Sequence, residues 1–238
     1  MIIGIIPARY DSSRFPGKPL VDLNGKTMIQ RVYEQCSKSK LLDKVVVATD
    51  DQRIFDEVTS FGGEVQMTAN THKSGTDRCN EVLQHYPNTS IIINIQGDEP
   101  LIDPEEIDKL VSVFDNEKAD VATLIKEMSF SEINNSNFVK VVTSVTGKAL
   151  YFSRSPIPFE RNKNQDQKFY QHIGIYGYRK EALETVSKLP VSSLELTEGL
   201  EQLRWLENDI NIFTEKSDFQ SLAIDTPEDV EKVLQRLL

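Results

Sequence analysis

A basic loop near the start of the chain has the residue types that bind phosphate. It begins at Pro7, directly after an apolar run, and contains three permanent cations, Arg9, Arg14 and Lys18. Prolines and a glycine keep such a segment from becoming helical, so its backbone N–H groups stay available to a ligand. Arginine and lysine neutralise phosphate oxygens and donate hydrogen bonds to them. The loop predicts a triphosphate site, although a solvated basic loop after a first strand would show the same pattern.

This loop differs from the common glycine-rich nucleotide motifs. The chain contains neither the P-loop sequence nor the dinucleotide-binding G-x-G-x-x-G pattern, so both of those interpretations lose their main support. Backbone N–H groups near Ser12, Ser13 and Gly17 are instead the ones expected to approach phosphate oxygens.

Two aspartates follow apolar runs and are candidates for a metal site. Asp98 comes after the run at 91–95, and Asp225 comes after residues 221–224 and two residues before a proline. In open α/β sheets the ligand crevice lies at the carboxyl ends of the strands, where both carboxylates would converge. Mg²⁺ takes one or two carboxylates and completes its shell with water and substrate phosphates. The pattern predicts Mg²⁺ on these two residues, although Asp225 is also suited to stabilising the following helix start through its dipole.

A helix opening and a nearby amide are further candidates. Ser74, Gly75 and Arg78 lie at the start of a helical pattern, where a glycine permits close approach of a ligand to the first N–H groups. An ordinary serine cap followed by an exposed arginine would look the same. Gln96 lies two residues before Asp98, hence on the same face if the strand continues, and a buried amide satisfied by backbone is its alternative.

Composition narrows the class of protein. The 238 residues are 39% hydrophobic, enough for one large α/β domain with an insertion, and the net charge is −10. An acidic protein is a poor ligand for nucleic acid or an anionic membrane, so a bound nucleotide should be a small one. No segment has the length and apolarity of a membrane span, and no leader pattern precedes the first run, which predicts a cytoplasmic protein. The two cysteines, Cys36 and Cys79, are expected to be buried hydrophobic residues.

The elements that must position these residues alternate between strand and helix patterns, which indicates βαβ units and a largely parallel sheet. Strand-like apolar runs lie at 2–6, 45–48, 91–95 and 121–124, and helical patterns lie at 27–36, 51–61 and 194–207. Thr226 and Pro227 are expected to cap and open a last helix. A further strand is predicted at 210–213.

The alternation stops in the middle of the chain. Residues 139–143 and 148–152 flank Ser144 to Gly147 as a predicted hairpin, and a charged stretch separates them from a strand-like segment at 172–178. We predict a single domain over 1–238 with an antiparallel insertion at about 129–180, which is a common place for an oligomer interface.

Several ordered blocks resemble one enzyme family. The loop is similar to the PARxxSxRxPGKPL signature of the sugar-activating cytidylyltransferases, and further blocks resemble the 3-deoxy-manno-octulosonate (Kdo) cytidylyltransferase, or CMP-Kdo synthetase, family. These blocks lie at 94–100, 149–154, 172–178, 200–204 and 225–229. The resemblance implies a three-layer α/β fold of the nucleotide-diphospho-sugar transferase type, with an antiparallel β insertion.

The resemblance also assigns roles to residues. It implies catalytic roles for Arg9, Lys18, Asp98 and Asp225, with the two aspartates holding Mg²⁺. The CTP site that it implies consists of Pro7, Ala8, Arg9, Ser12, Ser13, Lys18, Ser74, Gly75, Arg78 and Gln96. The sugar site that it implies consists of Gln96, Arg154, His172, Tyr176, Glu201 and Gln202. An arginine and several neutral hydrogen-bonding groups suit a sugar acid. The alternatives are a surface ion pair for Arg154, a core position for Tyr176, a structural hydrogen bond for His172 and a solvated helix position for Glu201.

The implied reaction is transfer of CMP from CTP to the anomeric hydroxyl of Kdo, with release of pyrophosphate, for lipopolysaccharide biosynthesis by a homodimer. A sister enzyme for 8-amino-Kdo or a sialic acid is the nearest alternative. A non-catalytic nucleotide-binding protein of the same fold is the other.

Overall fold

The computed structural model describes residues 1–11, 15–162, 168–219 and 222–237. By contact density the chain divides into two compact units, Met1–Asp108 with Gln220–Leu238, and Lys109–Phe219. In chain order the elements are β1 Ile2–Ala8, α1 Met28–Cys36, β2 Lys44–Thr49, α2 Gln52–Ser60, β3 Val65–Met67, α3 Gly75–Leu83, β4 Ile91–Asn94, α4 Pro104–Ser112, β5 Val121–Met128, β6 Lys140–Thr143, β7 Ala149–Ser153, β8 Phe169–Arg179, α5 Lys180–Val186, α6 Ser193–Glu198, α7 Glu201–Glu207, β9 Ile212–Lys216 and α8 Pro227–Arg236.

The first unit is built on a parallel sheet in the order β3-β2-β1-β4. Strands β1, β2 and β4 are rich in β-branched residues, and side chains such as Ile3, Ile5 and Val46 are fully buried. Strands of this kind are covered on both faces, which is why they are apolar throughout instead of alternating. The carboxyl ends of β1 and β2 lie side by side, with Ala8 opposite Thr49.

Local capping explains where the helices of this unit begin. Thr27 caps α1 by accepting a hydrogen bond from the Gln30 amide, and Asp51 caps α2 by accepting one from Arg53. Such side chains satisfy N–H groups that have no partner within the helix. Thr226 opens α8 with Pro227 in the first turn, as predicted.

The second unit is mainly antiparallel. Strand β5 pairs antiparallel with β8 and parallel with β9, and β6 pairs antiparallel with both β7 and β8. The turn at Ser144 to Gly147 joins β6 to β7, which confirms the predicted hairpin. The predicted insertion at about 129–180 lies within this unit.

The predicted fold class, a mixed α/β protein with a largely parallel sheet and an antiparallel part, is confirmed. The strand at 210–213 is displaced, because β9 spans Ile212–Lys216. The single helix predicted at 194–207 is wrong: Gly199 adopts a left-handed conformation with φ of 64° and ends α6 before α7 begins. Periodicity alone cannot reveal such a break, because the apolar residues resume in phase.

Candidate active site

The basic loop leaves the end of β1 at the carboxyl edge of the parallel sheet. Pro7 and Ala8 are the last residues of the strand, and the Arg9 side chain is 46% exposed beyond it. The loop closes where the Gly17 amide donates to the Tyr10 carbonyl at 2.9 Å. Gly17 has a φ of 73°, and a Cβ there would lie 3.1 Å from the Tyr10 hydroxyl, so the turn requires glycine. The predicted phosphate contacts at 12 and 13, and Arg14, lie outside the described residues.

Lys18 holds two carboxylates together. Its Nζ donates to Asp98 Oδ2 at 2.9 Å and lies 3.9 Å from Asp225 Oδ1, while its side chain is only 14% exposed. Asp98 is partly exposed and Asp225 is 47% exposed. All four residues implied to be catalytic lie in the first unit, and Lys18, Asp98 and Asp225 form this cluster. The cluster offers partly exposed carboxylate oxygens, which suit a metal cation, and an ammonium group, which suits a phosphate.

The two aspartates reach this cluster by routes that the sequence did not predict. Strand β4 ends at Asn94, so Asp98 lies in the turn that follows and not at the strand tip. Residues 222–225 form no strand, and the Ile224 amide donates to the Asp98 carbonyl at 2.9 Å. This backbone hydrogen bond joins two segments that are far apart in the chain, and it places the two carboxylates at one point.

The start of α8 fixes Asp225 further. Asp229 Oδ2 accepts hydrogen bonds from the backbone amides of Asp225 and Thr226, at 3.2 and 3.0 Å. The ammonium group of Lys232, together with these amides, holds the pKa of Asp229 well below its ordinary value. Asp225 therefore lies beside a helix start, as the alternative interpretation has it, and its predicted role as a Mg²⁺ ligand stays a prediction.

The opening of α3 has the serine cap of the alternative interpretation, and the predicted approach of a ligand stays a prediction. Ser74 accepts a hydrogen bond from the Asp77 amide in a reciprocal capping box. A Cβ added at Gly75 would lie 3.4 Å from the side chains of Asn94 and Pro7. Arg78 is not the exposed arginine of the alternative interpretation. Its side chain is 1% exposed, and its guanidinium contacts Asp50 and Thr68.

Asp50 was missed by the sequence analysis. It follows β2 directly, at the same edge of the sheet as Arg9, and lies 4.0 Å from the Arg9 Nε. The rule that carboxyl ends of parallel strands collect functional groups could have found it. Gln96 lies in the turn after β4 and is exposed, so the argument from a continuing strand face does not hold for it.

In the second unit, a neutral histidine lies within an aromatic cluster. The ring of His172 is 5.1 Å from Phe152 and 5.3 Å from Tyr176 between centroids. Desolvation lowers the pKa of His172 to about 3. Desolvation, with a further contribution from Glu201, raises the pKa of Tyr176 well above its ordinary value. Both side chains are therefore uncharged at neutral pH.

The tautomer of His172 follows from its partner. Its Nε2 is 3.0 Å from the Thr123 hydroxyl, which also lies 2.8 Å from the Ile175 carbonyl. A hydroxyl has one proton, and a carbonyl can only accept, so Thr123 donates to the carbonyl and accepts from the imidazole. This leaves Nδ1 of His172 as a hydrogen-bond acceptor.

Two polar residues open α7. Gln202 is 4% exposed, and its amide nitrogen has no hydrogen-bond partner within the described residues. Glu201 accepts a hydrogen bond from Arg204 at 3.0 Å. A buried amide donor without an acceptor is costly unless a ligand or water completes it.

Arg154 ties β7 to the turn before α7. Its guanidinium donates to the carbonyls of Glu198 at 2.8 Å, Ser136 at 3.1 Å and Gly199 at 3.4 Å. Its backbone amide donates to the Glu198 carboxylate, and its carbonyl accepts from the fully buried Lys140. The side chain is thus not the surface ion pair of the alternative interpretation, and the predicted contact with a sugar carboxylate stays a prediction.

The remaining candidate groups have ordinary structural roles. Cys36 and Cys79 are both buried, as expected, and burial raises the pKa of Cys36. In the ranges that the structure describes, no three His, Cys, Asp or Glu residues form a group able to hold a metal ion. Among those same residues, no helix combines the length and apolarity that crossing a membrane requires.

Comparison with known proteins gives matches along the whole chain. The family model described as cytidylyltransferase matches residues 3–216. A 3-deoxy-manno-octulosonate cytidylyltransferase of Parabacteroides distasonis is 50% identical over 243 residues, covering 98% of this chain and 96% of the relative. The enzyme of the same name from Geobacter sulfurreducens is 46% identical, and the alignment covers 99% of each chain.

Solved structures agree with these matches. A CMP:2-keto-3-deoxy-manno-octonic acid synthetase complexed with CTP has a TM-score of 0.95 and 45% identity, with 99% of this chain and 98% of that chain covered. A 4-diphosphocytidyl-2C-methyl-D-erythritol synthase from Anaerococcus prevotii has a TM-score of 0.66 at 13% identity, covering 99% of this chain and 97% of that one. The second similarity concerns the fold alone.

Proposed function

The chain belongs to the cytidylyltransferase family, and from that membership and the cluster of Lys18, Asp98 and Asp225 we propose its reaction. It transfers CMP from CTP to Kdo and releases pyrophosphate. The observation that carries the proposal is the convergence of Asp98 and Asp225 on the Lys18 ammonium at the carboxyl edge of the parallel sheet. The relatives named as Kdo cytidylyltransferases, and the related synthetase complexed with CTP, give the substrates.

The reaction is a displacement at the α-phosphorus of CTP. The anomeric hydroxyl oxygen of the sugar forms a bond to this phosphorus, its proton is released, and the bond to the pyrophosphate oxygen breaks. Arg9 and Lys18 bind the triphosphate and stabilise the charge that develops on the leaving pyrophosphate. No covalent intermediate on the protein is needed.

We propose that Asp98 and Asp225 hold Mg²⁺. Two carboxylates approach a point that already accommodates a cationic group, the Lys18 ammonium, and Mg²⁺ needs no more than two protein carboxylates when phosphate oxygens are present. When bound, Mg²⁺ neutralises phosphate charge and orients the triphosphate. The carboxylates position it, and Lys18 balances their charge beside it.

We propose that four polar side chains of the second unit, those of His172, Tyr176, Glu201 and Gln202, bind the sugar. The Nδ1 acceptor of His172 and the buried amide donor of Gln202 are suited to sugar hydroxyls, and both are uncharged. Neutral donors and acceptors in a partly apolar wall give orientation without the cost of burying charge. Tyr176, which lies beside His172, adds a phenol, and Glu201 adds a carboxylate.

We also propose the setting of the reaction. A nucleotide-activated Kdo is a donor for lipopolysaccharide biosynthesis, and Mg-CTP is available in the cytoplasm. Several large apolar side chains of the second unit are exposed, including Phe130 at 65% and Phe159 at 87%. Exposed apolar groups of this size are suited to a homodimer contact.

Pyrophosphate release tests the function. We expect turnover with Mg-CTP and Kdo, with much lower turnover for ATP, GTP and UTP, and formation of a CMP-sugar in the same reaction. 8-Amino-Kdo and a sialic acid serve as competing sugars. Equal turnover with ATP would contradict the cytidylyl assignment, a preference for sialic acid would contradict Kdo, and absence of turnover with every pair would indicate a non-catalytic protein.

A further inference from the structure

Asp50 lies between two arginines of the first unit. Its Oδ2 is 2.9 Å from Arg78 Nη2 and 4.0 Å from Arg9 Nε, and its side chain is 14% exposed. Because β1 and β2 pair in parallel with Ala8 opposite Thr49, the residues that follow them, Arg9 and Asp50, are neighbours at the edge of the sheet. One carboxylate oxygen thus faces two guanidinium groups from two different elements.

The contact with Arg78 is fixed. This guanidinium is 1% exposed and also donates to the Thr68 hydroxyl, and Thr68 is bound through its amide to the Thr49 carbonyl at 2.8 Å. A buried arginine requires a partner of opposite charge, because removing that partner leaves an uncompensated cation in a medium of low polarity. Arg78 and the strand end therefore determine where the Asp50 carboxylate lies.

The contact with Arg9 is of a different kind. At 4.0 Å it is too long for a hydrogen bond, and Arg9 is 46% exposed. The carboxylate attracts the guanidinium by charge alone, which leaves the guanidinium donors able to turn towards an anion. An exposed arginine loses side-chain entropy when it binds phosphate, and a charge that holds it near the site lowers that cost.

We propose that Asp50 is a positioning residue for triphosphate binding: Arg78 fixes its carboxylate, and the carboxylate holds Arg9 at the carboxyl ends of β1 and β2. The inference rests on the proposed function, because CTP supplies the triphosphate that Arg9 meets. Asp50 acts through Arg9 and does not itself bind the substrate. The opposite effect is repulsion: if Asp50 did not orient a cation, its negative charge beside the triphosphate would weaken CTP binding.

Titration of CTP into the Asp50→Asn variant separates these two effects. We expect the Kd for CTP to rise about tenfold, while the KM for Kdo changes by less than about twofold. An unchanged or lower Kd for CTP would overturn the proposal. If the asparagine variant does not fold, Asp50→Glu serves instead, because it keeps the charge and moves it by one methylene, and we expect a smaller rise with it.

A matched control lies at the other end of the same strand. Glu64 accepts from Lys44, the first residue of β2, at 2.6 Å, so Glu64→Gln also removes one carboxylate from an ion pair of this strand. We expect Glu64→Gln to lower Tm without changing the Kd for CTP. An equal loss of CTP affinity in both variants would show that Asp50 has only a structural role.

A double-mutant cycle tests whether Asp50 acts through Arg9. Arg9→Ala, Asp50→Asn and the double variant are compared by CTP titration in the absence of sugar. We expect the Asp50→Asn substitution to change the Kd by less than about twofold once Arg9 is absent, since interacting residues are non-additive. Equal effects in both backgrounds would overturn the proposal. Wild-type turnover is measured separately, so a failure of the proposed function is recognised by the absence of CMP-sugar and not by this cycle.

Discussion

At the scale of single residues, the charge balance around Lys18 decides what the first unit can bind. Lys18 is mostly buried and contacts Asp98 closely, while Asp225 is farther from it and about half exposed. At an effective dielectric constant near 20, two unit charges about 4 Å apart interact by about 4 kcal/mol, less where water screens them. The Asp98 contact should therefore be the stronger of the two.

Asp98→Asn and Asp225→Asn test the metal role. Each substitution keeps the size of the side chain and removes one negative charge, so we expect kcat/KM to fall at least about 100-fold for Asp98 and less for Asp225. The reaction is measured over a range of Mg²⁺ concentrations, with circular dichroism as the control for folding. Near-normal turnover of either variant at limiting Mg²⁺ would remove that residue from the metal site.

Arg154→Ala separates a sugar contact from a structural tie. The side chain donates to three backbone carbonyls, including that of Gly199 just before α7. We expect a lower Tm and a higher KM for Kdo, because Glu201 and Gln202 follow this turn, while the KM for CTP stays unchanged. Steady-state kinetics with each substrate varied in turn measure this. A parallel loss of CTP affinity, or an unchanged KM for Kdo, would contradict the assignment of Arg154 to the sugar site.

His172 makes stability depend on pH. Its pKa is about 3 in the folded chain against 6.5 ordinarily, so between these values the unfolded chain binds a proton that the folded chain does not. The contribution of His172 to stability is complete above pH 6.5 and is lost as the pH falls towards 3. We expect His172→Gln to lose less unfolding free energy than the wild type between neutral pH and about pH 4 in urea titrations. Parallel curves would contradict this assignment.

At the scale of elements, helix starts position the functional side chains. In the capping box of α8, Asp229 accepts hydrogen bonds from the backbone amides of Asp225 and Thr226. One carboxylate therefore binds both the helix start and the backbone of a residue of the charged cluster. The turn at Gly199 acts similarly for α7, because it ends α6 and directs Glu201 and Gln202 into a new helix. In both places a helix cap fixes the backbone next to a functional group.

Asp229→Ala should affect both the helix and the cluster. We expect a stability loss of about 1 kcal/mol, because the capping box with Thr226 is broken. We also expect a higher Mg²⁺ concentration for half-maximal turnover, because the Asp225 backbone amide loses its acceptor. Lys232→Ala is the control, since it removes only the exposed ion pair with Asp229 and leaves the capping box intact. Thermal unfolding and Mg²⁺ titrations measure both effects. Equal changes in the two variants would show that the cap has no separate role.

At the scale of the whole molecule, the two units have different chemistry. The first has the cations and carboxylates implied for CTP, and the second has the neutral groups implied for the sugar, together with most of the large exposed apolar side chains of the described residues. A parallel sheet covered by helices places charged groups at one edge, whereas an antiparallel sheet can leave an apolar surface for a partner.

Phe159→Ser tests the proposed homodimer. Phe159 is 87% exposed in the second unit, so its replacement should weaken association without unfolding the chain. We expect the wild type to sediment as a dimer and this variant to shift towards the monomer. Leu41→Ser is the control, because Leu41 is an exposed apolar residue of the first unit at 41%. A monomeric wild type would contradict the proposal.

Local signals in the sequence were sufficient for most of the elements and for the family. The β-branched runs, the caps at Thr27, Ser74 and Thr226, and the turn before Gly147 each depend on residues within a few positions of one another. Such interactions are short in range, so a pattern in the chain determines them. The ordered blocks identified a family that the comparisons then confirmed.

Only the tertiary structure decided which distant groups meet. Lys18 contacts Asp98 and Asp225 because a backbone hydrogen bond joins the turn after β4 to the segment before α8, and no local pattern encodes that pairing. Burial decided that Arg78 is an internal cation in need of Asp50 and that His172 is neutral. Desolvation and pairing of charges depend on what surrounds a group in space. For that reason the sequence predicted that Asp98 and Asp225 converge, but not that Lys18 pairs with them or that Asp50 pairs with Arg78.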